Sequence, residues 1–226
     1  MQIKFVTVIG ANGTMGRNIA GVLAYLGNAR VYLLCRSKEK AYEAIKFLTK
    51  IYGEKLSLDN LLPVDYSMID ECIRKSDLVF ESVSEDMTTK KDILKSVSLY
   101  LPPEACLCTG TSGFSVNKLA EDLPLEVRKR FFGVHLYNPP NVMSLCELVP
   151  NVDSNEKLLN IIQTYLESTL KRNVVIVKDT PAFIGNRIGF QFLNKALILA
   201  ERYKDKGGVD YIDSILGVNT GRSMSP

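Results

Sequence analysis

The chain contains a single histidine, and its surroundings suit an imidazole that does chemistry. His135 ends the apolar run Phe131-Phe132-Gly133-Val134 and is followed by Leu136-Tyr137-Asn138-Pro139-Pro140. Consecutive prolines lack the amides that a strand needs, so the strand stops there. The chain returns through Leu145, Cys146, Glu147, Leu148 and Val149, an apolar run with a carboxylate twelve residues from the histidine. A carboxylate within such a run is costly unless paired, and two neighbouring strands could set it beside the imidazole. The pair would suit oxidation of a secondary alcohol. The imidazole takes the hydroxyl proton as hydride leaves the carbon, and returns it to the ketone oxygen in reverse. Glu147 would fix the tautomer and stabilise the imidazolium.

A second constellation suits an anion. The run Ile3 to Ile9 leads into Gly10-Ala11-Asn12-Gly13-Thr14-Met15-Gly16 and then an amphipathic stretch. Glycines permit the tight turn and the close approach of a pyrophosphate, and amides at the following helix start attract it. Gly10, Gly13, Thr14, Met15 and Gly16 are therefore candidate cofactor-binding residues. The spacing G-x-x-G-x-x-G is one residue longer than the usual dinucleotide fingerprint, and such turns also end strands for structural reasons. Where NAD enzymes carry an acid for the adenosine ribose, this chain has Cys35, followed by Arg36, Ser37 and Lys38. A guanidinium, a hydroxyl and an ammonium suit a 2′-phosphate, which keeps NADP beside NAD as the cofactor; alternatively Arg36 and Lys38 merely solvate a helix start.

These residues need elements to hold them. Strands are expected at Ile3 to Ile9, Arg30 to Cys35, Leu78 to Ser82, Ala105 to Thr109, Arg130 to His135, Ser144 to Val149 and Asn173 to Val177. Helices are expected at Met15 to Leu26, Ser37 to Tyr52, Thr88 to Leu99, Val116 to Glu121 and Asn155 to Leu170. Alternation of strands and helices predicts an α/β, Rossmann-like, doubly wound and mainly parallel sheet, followed by the beginning of an α-helical domain. The expected division is 1–178 for the dinucleotide-binding domain and 179–226 for the helical part. Asp179, Thr180 and Pro181 read as a helix start, with Phe183, Ile184, Ile188, Phe192 and Ala196 at helical spacing. The residues after that helix are too few to enclose a core, so this domain is expected to be incomplete.

Bulk properties narrow the classes. With 28 basic and 25 acidic residues among 226 and a net charge of +3, the chain lacks the basic stripe of a nucleic-acid binder. Its apolar runs fall short of the roughly 18 residues that span a bilayer, and no secretory segment is visible. Five cysteines without a C-x-x-C pair point to a reducing, cytoplasmic setting. One histidine and scattered cysteines make a zinc site hard to assemble, so no metal is expected.

Taken in order, VIGANGTMGRNIA (residues 8–20), FESVSEDMTTKK, TGTSGFSV, GVHLYNPP, CELV and DTPAFIGNR resemble the 3-hydroxyacyl-CoA dehydrogenase family over nearly the whole chain. The resemblance implies an oxidoreductase of fatty acid metabolism that moves hydride between a nicotinamide cofactor and C3 of a 3-hydroxyacyl-CoA, with NAD the usual cofactor. It implies His135 as acid/base with Glu147 as its partner, and Asn138 and Asn186 positioning the catalytic group and substrate. It puts Glu85 and Lys90 near the nicotinamide ribose, and Ser112 on the substrate side. A charged helix start is the plain alternative for Lys90.

Three places depart from the family pattern: the longer glycine loop, Cys35, and Gly110-Thr111-Ser112-Gly113 where the family carries Asn-Thr-Ser-Ser. Gly113 stands where the family has a substrate-facing hydroxyl, and loss of such a donor costs about 3 kcal/mol in the transition state. Ser115 could substitute only if its loop were reshaped. The segment Gly221 to Pro226 resembles the family's G-x-P-M-G-P stretch, after which relatives continue into helices that dimerise and cover the site; a homodimer is expected only with that part present. Two rival readings remain: a hydroxy-acid dehydrogenase that does not use CoA, and a nucleotide-binding module with little catalysis.

Overall fold

A computed structural model describes residues 3–219. The chain separates into two compact units, one ending at Phe183 and the other beginning at Ile184. The first is built on eight strands: β1 (Phe5–Ile9), β2 (Arg30–Cys35), β3 (Leu61–Asp65), β4 (Leu78–Glu81), β5 (Cys106–Thr109), β6 (Phe131–Leu136), β7 (Leu145–Pro150) and β8 (Asn173–Ile176). They form one sheet in the order β3-β2-β1-β4-β5-β6-β7-β8. The strands from β3 to β6 run parallel, β7 is antiparallel to β6, and β8 is parallel to β7. This is the expected doubly wound, mainly parallel α/β architecture. Strand order reverses between β1 and β4, the place where such sheets open a crevice beyond their carboxyl ends.

The first unit also holds α1 (Thr14–Tyr25), α2 (Lys38–Tyr52), α3 (Ile69–Arg74), α4 (Met87–Ser98), α5 (Val116–Ala120), α6 (Leu125–Arg128) and α7 (Glu156–Thr164). Neighbouring strand residues point to opposite sheet faces, so each strand feeds two cores. Leu33, Phe80 and Cys108 enter one apolar cluster, while Leu34, Val79 and Leu107 enter the other. Burial on both faces explains why these strands read as continuous apolar runs.

Some boundaries differ from expectation. Strand β3 was not anticipated because Pro63 interrupts its run; the proline is tolerated because β3 lies at the sheet edge. The last turn of the helix expected to end at Leu170 widens into a π-helix at Tyr165–Thr169. The helix expected from Asp179 begins instead at Gly185. Asp179 caps α5, accepting from the amides of Val116 and Asn117, both at 2.9 Å. Ala182 and Phe183 have φ of 60° and 50°, which no right-handed helix accommodates. The second unit contains α8 (Gly185–Arg202) and α9 (Val209–Asn219). The stretch from Gly221 to Pro226 lies outside the described residues. No helix among the described residues is long and apolar enough to cross a membrane.

Candidate active site

The carboxyl ends of β1 and β4 frame the glycine loop. Gly10 has φ of +77°, and a Cβ there would lie 2.5 Å from the carbonyl oxygen of Ser82. A Cβ on Gly16 would lie 2.3 Å from the carbonyl oxygen of Gly10. The backbone of Gly13 donates to that same oxygen at 3.0 Å, closing the turn. The longer spacing thus keeps two obligatory glycines, Gly10 and Gly16, in close contact. Thr14 and Met15 open α1, whose N-cap Gly13 offers no side chain to its first amides. Beside the loop lies a cleft of about 570 Å³ lined by Gly10, Asn12, Gly13, Arg36, Tyr66, Ser82, Val83, Ser84 and Thr89. Glycines that a Cβ would block, uncapped helix amides and a cleft of this size fit a dinucleotide.

The end of β2 has no acid for a ribose. Cys35 is fully buried, and burial pushes its thiol up to about 11. Ser37 is spent as the N-cap of α2. Arg36 is exposed and lines the cleft.

At the end of β4, Glu81 and Lys90 are both buried, with Nζ 2.8 Å from Oε1. Glu81 Oε1 also accepts from the amide of Val83 at 2.7 Å, and Oε2 from the hydroxyl of Thr109 at 2.6 Å. Lys90 Nζ reaches Glu85 Oε2 at 3.2 Å. Lys90 is therefore no solvated helix-start charge. Glu85 accepts from the hydroxyl of Thr111 and, at 2.9 Å, from the amide of Ser112. Burial opposes its ionisation, but Thr111, Lys90 and Ser112 outweigh that effect and hold its carboxyl below the usual range. This network joins β4, the first turns of α4 and the loop after β5. Glu81 was not singled out in the sequence; its position inside the apolar run Leu78-Val79-Phe80 is the signal that could have found it, as it was for Glu147.

On β6 and β7, antiparallel register sets His135 opposite Glu147. Nδ1 of His135 is 2.7 Å from Glu147 Oε2, and both side chains are buried. The hydroxyl of Tyr137 donates to the same oxygen at 2.9 Å. The ring of Phe183 lies 5.8 Å from the imidazole. An ionised carboxylate only accepts, so Nδ1 carries the proton and Nε2 is the basic nitrogen of the neutral ring.

Other candidate residues are placed differently. Asn138 precedes Pro139 across a cis peptide bond and is exposed; it makes no hydrogen bond among the described residues. Asn186 stands on α8 in the second unit. Ser112 is tied to Glu85 through its amide, with its hydroxyl 3.3 Å from the same carboxylate. A Cβ at Gly113 would find its nearest neighbour, Ala182 Cα, at 3.9 Å. Ser115 does not replace the missing hydroxyl: it caps α5 and donates to Asp179 at 2.7 Å.

A doubly wound sheet with a glycine cradle at its switch point is the architecture of a dinucleotide-binding domain, and a buried His-Glu pair lies farther along the same sheet. The chain belongs to the family described as "3-hydroxyacyl-CoA dehydrogenase, NAD binding domain", which matches residues 5–180. It is 29% identical over 250 residues to the probable 3-hydroxyacyl-CoA dehydrogenase of Bacillus subtilis, covering 99% of this chain and 31% of that protein. It is also 29% identical over 238 residues to the mitochondrial hydroxyacyl-coenzyme A dehydrogenase of Sus scrofa, covering 99% of this chain and 74% of that one. Among solved structures, the 3-hydroxybutyryl-CoA dehydrogenase of Escherichia coli K12 superposes with a TM-score of 0.78 at 28% identity, covering 90% of this chain and 44% of that one. The chain thus spans less than a third of the Bacillus subtilis relative.

Proposed function

We propose that the chain supplies the nucleotide-binding and proton-transfer half of a 3-hydroxyacyl-CoA dehydrogenase that uses NAD. The carrying observation is the 2.7 Å contact between His135 Nδ1 and Glu147 Oε2, buried on the sheet edge that also bears the glycine cradle. When bound, the nicotinamide supplies or accepts the hydride. His135 Nε2 takes the proton of the C3 hydroxyl, and Glu147 stabilises the resulting imidazolium from the opposite nitrogen. Gly10, Gly13 and Gly16 let the pyrophosphate approach, with the amides of Thr14 and Met15 facing it. Lys90, fixed by Glu81 and Glu85, offers donors toward the ribose. Ser112 binds substrate, and Asn138 orients it. The boundary between the nucleotide-binding and helical parts falls within the 178–184 segment. Names among the relatives support an acyl-CoA substrate, and five buried free cysteines support a reducing, cytoplasmic compartment.

The test is loss of reduced-nicotinamide absorbance with acetoacetyl-CoA, with NADH and NADPH in parallel. Turnover with NADH and loss of that turnover in His135→Ala support the reading. Preference for NADPH would assign Arg36 to a 2′-phosphate. Nucleotide binding without turnover leaves standing both a dehydrogenase half that needs its helical complement and the second reading, a binding module, for which Gly113 speaks because it leaves the substrate side one hydroxyl short.

A further inference from the structure

Tyr137 stands one residue beyond β6, and its phenol donates at 2.9 Å to Glu147 Oε2, the oxygen that also lies 2.7 Å from His135 Nδ1. Its ring lies against the imidazole, with centroids 4.6 Å apart. We propose that Tyr137 is a positioning residue of the pair, the third member of a His-Glu-Tyr network that sets how strongly Glu147 holds the imidazolium; this rests on the reading of His135 as the acid/base. A carboxylate oxygen has lone pairs for two donors, so both contacts coexist. They share one charge, however. Density committed to the phenol is not available to Nδ1–H, so the imidazolium gains less from Glu147 than it would from an undivided oxygen. Two donors arriving from different residues also lock the carboxylate against rotation.

Several groups near the pair are neutral or held elsewhere. Cys146, next to Glu147, is a thiol that burial pushes up to about 12, so it is neutral. Phe183 presents an apolar ring. On β8 the residue opposite Glu147 is Val175, and on β5 the residue opposite Gly133 is Thr109. The guanidinium of Arg172 is held by the carbonyls of Leu170, Pro140 and Met143. Burial, and then Glu147, raise the pKa of the Tyr137 phenol, which keeps it a neutral donor.

One histidine in the chain makes the test direct. Histidine proton resonances of the untagged chain, followed through a pH titration, report His135 alone. Tyr137→Phe is expected to raise the imidazole midpoint by about half a pH unit, because the phenol no longer draws on the Glu147 oxygen that His135 Nδ1 shares. Glu147→Gln is expected to lower it. In turnover, the alkaline limb of the kcat/KM profile for acetoacetyl-CoA reduction by Tyr137→Phe, where His135 must be protonated, should move upward by the same amount. A folded Tyr137→Phe chain whose midpoint stays in place or falls overturns the proposal. The titration needs no turnover, so failure of the catalytic reading and failure of this one are separable.

Discussion

The Phe80 ring occupies the space that a side chain at position 110 would need: a Cβ on Gly110 would lie 2.9 Å from Phe80 Cε1. Gly113, three residues on, would meet only an ordinary contact, Ala182 Cα at 3.9 Å. The two glycines that set this chain apart from its family pattern therefore differ physically. One accommodates a core ring, and the other leaves out a side chain that would fit.

That difference predicts opposite outcomes. Gly113→Ser should fold normally and, if it restores a donor to the reacting oxygen, raise kcat with acetoacetyl-CoA by up to about a hundredfold, the value of one transition-state hydrogen bond. Gly110→Asn should lower the melting temperature, and pairing it with Phe80→Val should recover much of the loss. Thermal melts and steady-state kinetics on the same preparations check both.

His135→Gln should reduce kcat by about a hundred- to ten-thousand-fold, the usual worth of a positioned acid/base. Glu147→Gln should fall within the same range while nucleotide affinity holds. Kinetics alongside a fluorescence titration with NADH separate the two effects.

Lys90→Met leaves the buried Glu81 carboxylate without its cation, and should destabilise the fold by about 3–5 kcal/mol. Replacing both partners, as Lys90→Met with Glu81→Gln, should cost less than the single change, because no uncompensated charge remains. Urea unfolding of the three chains measures this.

Gly16→Ala should weaken NADH binding about tenfold or more, since the loop must shift to relieve a 2.3 Å approach to the Gly10 carbonyl. Gly13→Ala should be milder, as its Cβ would lie 3.4 Å from that oxygen. Equal losses in the two variants would count against the cradle as described.

Glu85 sets a pH dependence of stability. Its carboxyl titrates below its ordinary value of 4.5 in the folded chain. The stability it contributes is therefore complete above that ordinary value and is lost as pH falls through the lower folded one. Thr111→Val removes a donor to the carboxylate and should flatten this dependence. Urea midpoints taken between about pH 3 and 7 would show the difference in slope.

What the sequence determined was local or periodic. Apolar runs alternating with amphipathic stretches specified a parallel sheet, because burial on both faces leaves that imprint on every central strand. Glycines after the first strand marked the cradle, since only residues without a Cβ tolerate its contacts. A carboxylate inside an apolar strand announced a buried partner, and the chain's only histidine was near enough to supply one. What only the tertiary structure decided depended on register and on distant neighbours. Antiparallel pairing put His135 directly opposite Glu147; a slip of one residue would have turned the carboxylate to the other face. Glu81 found Lys90 nine residues on and Thr109 on the adjacent strand. Asp179, which reads as the start of a helix, caps a helix more than sixty residues earlier. In each case the energy lies in pairing a buried polar group, and which partner satisfies it is fixed by how strands and helices meet.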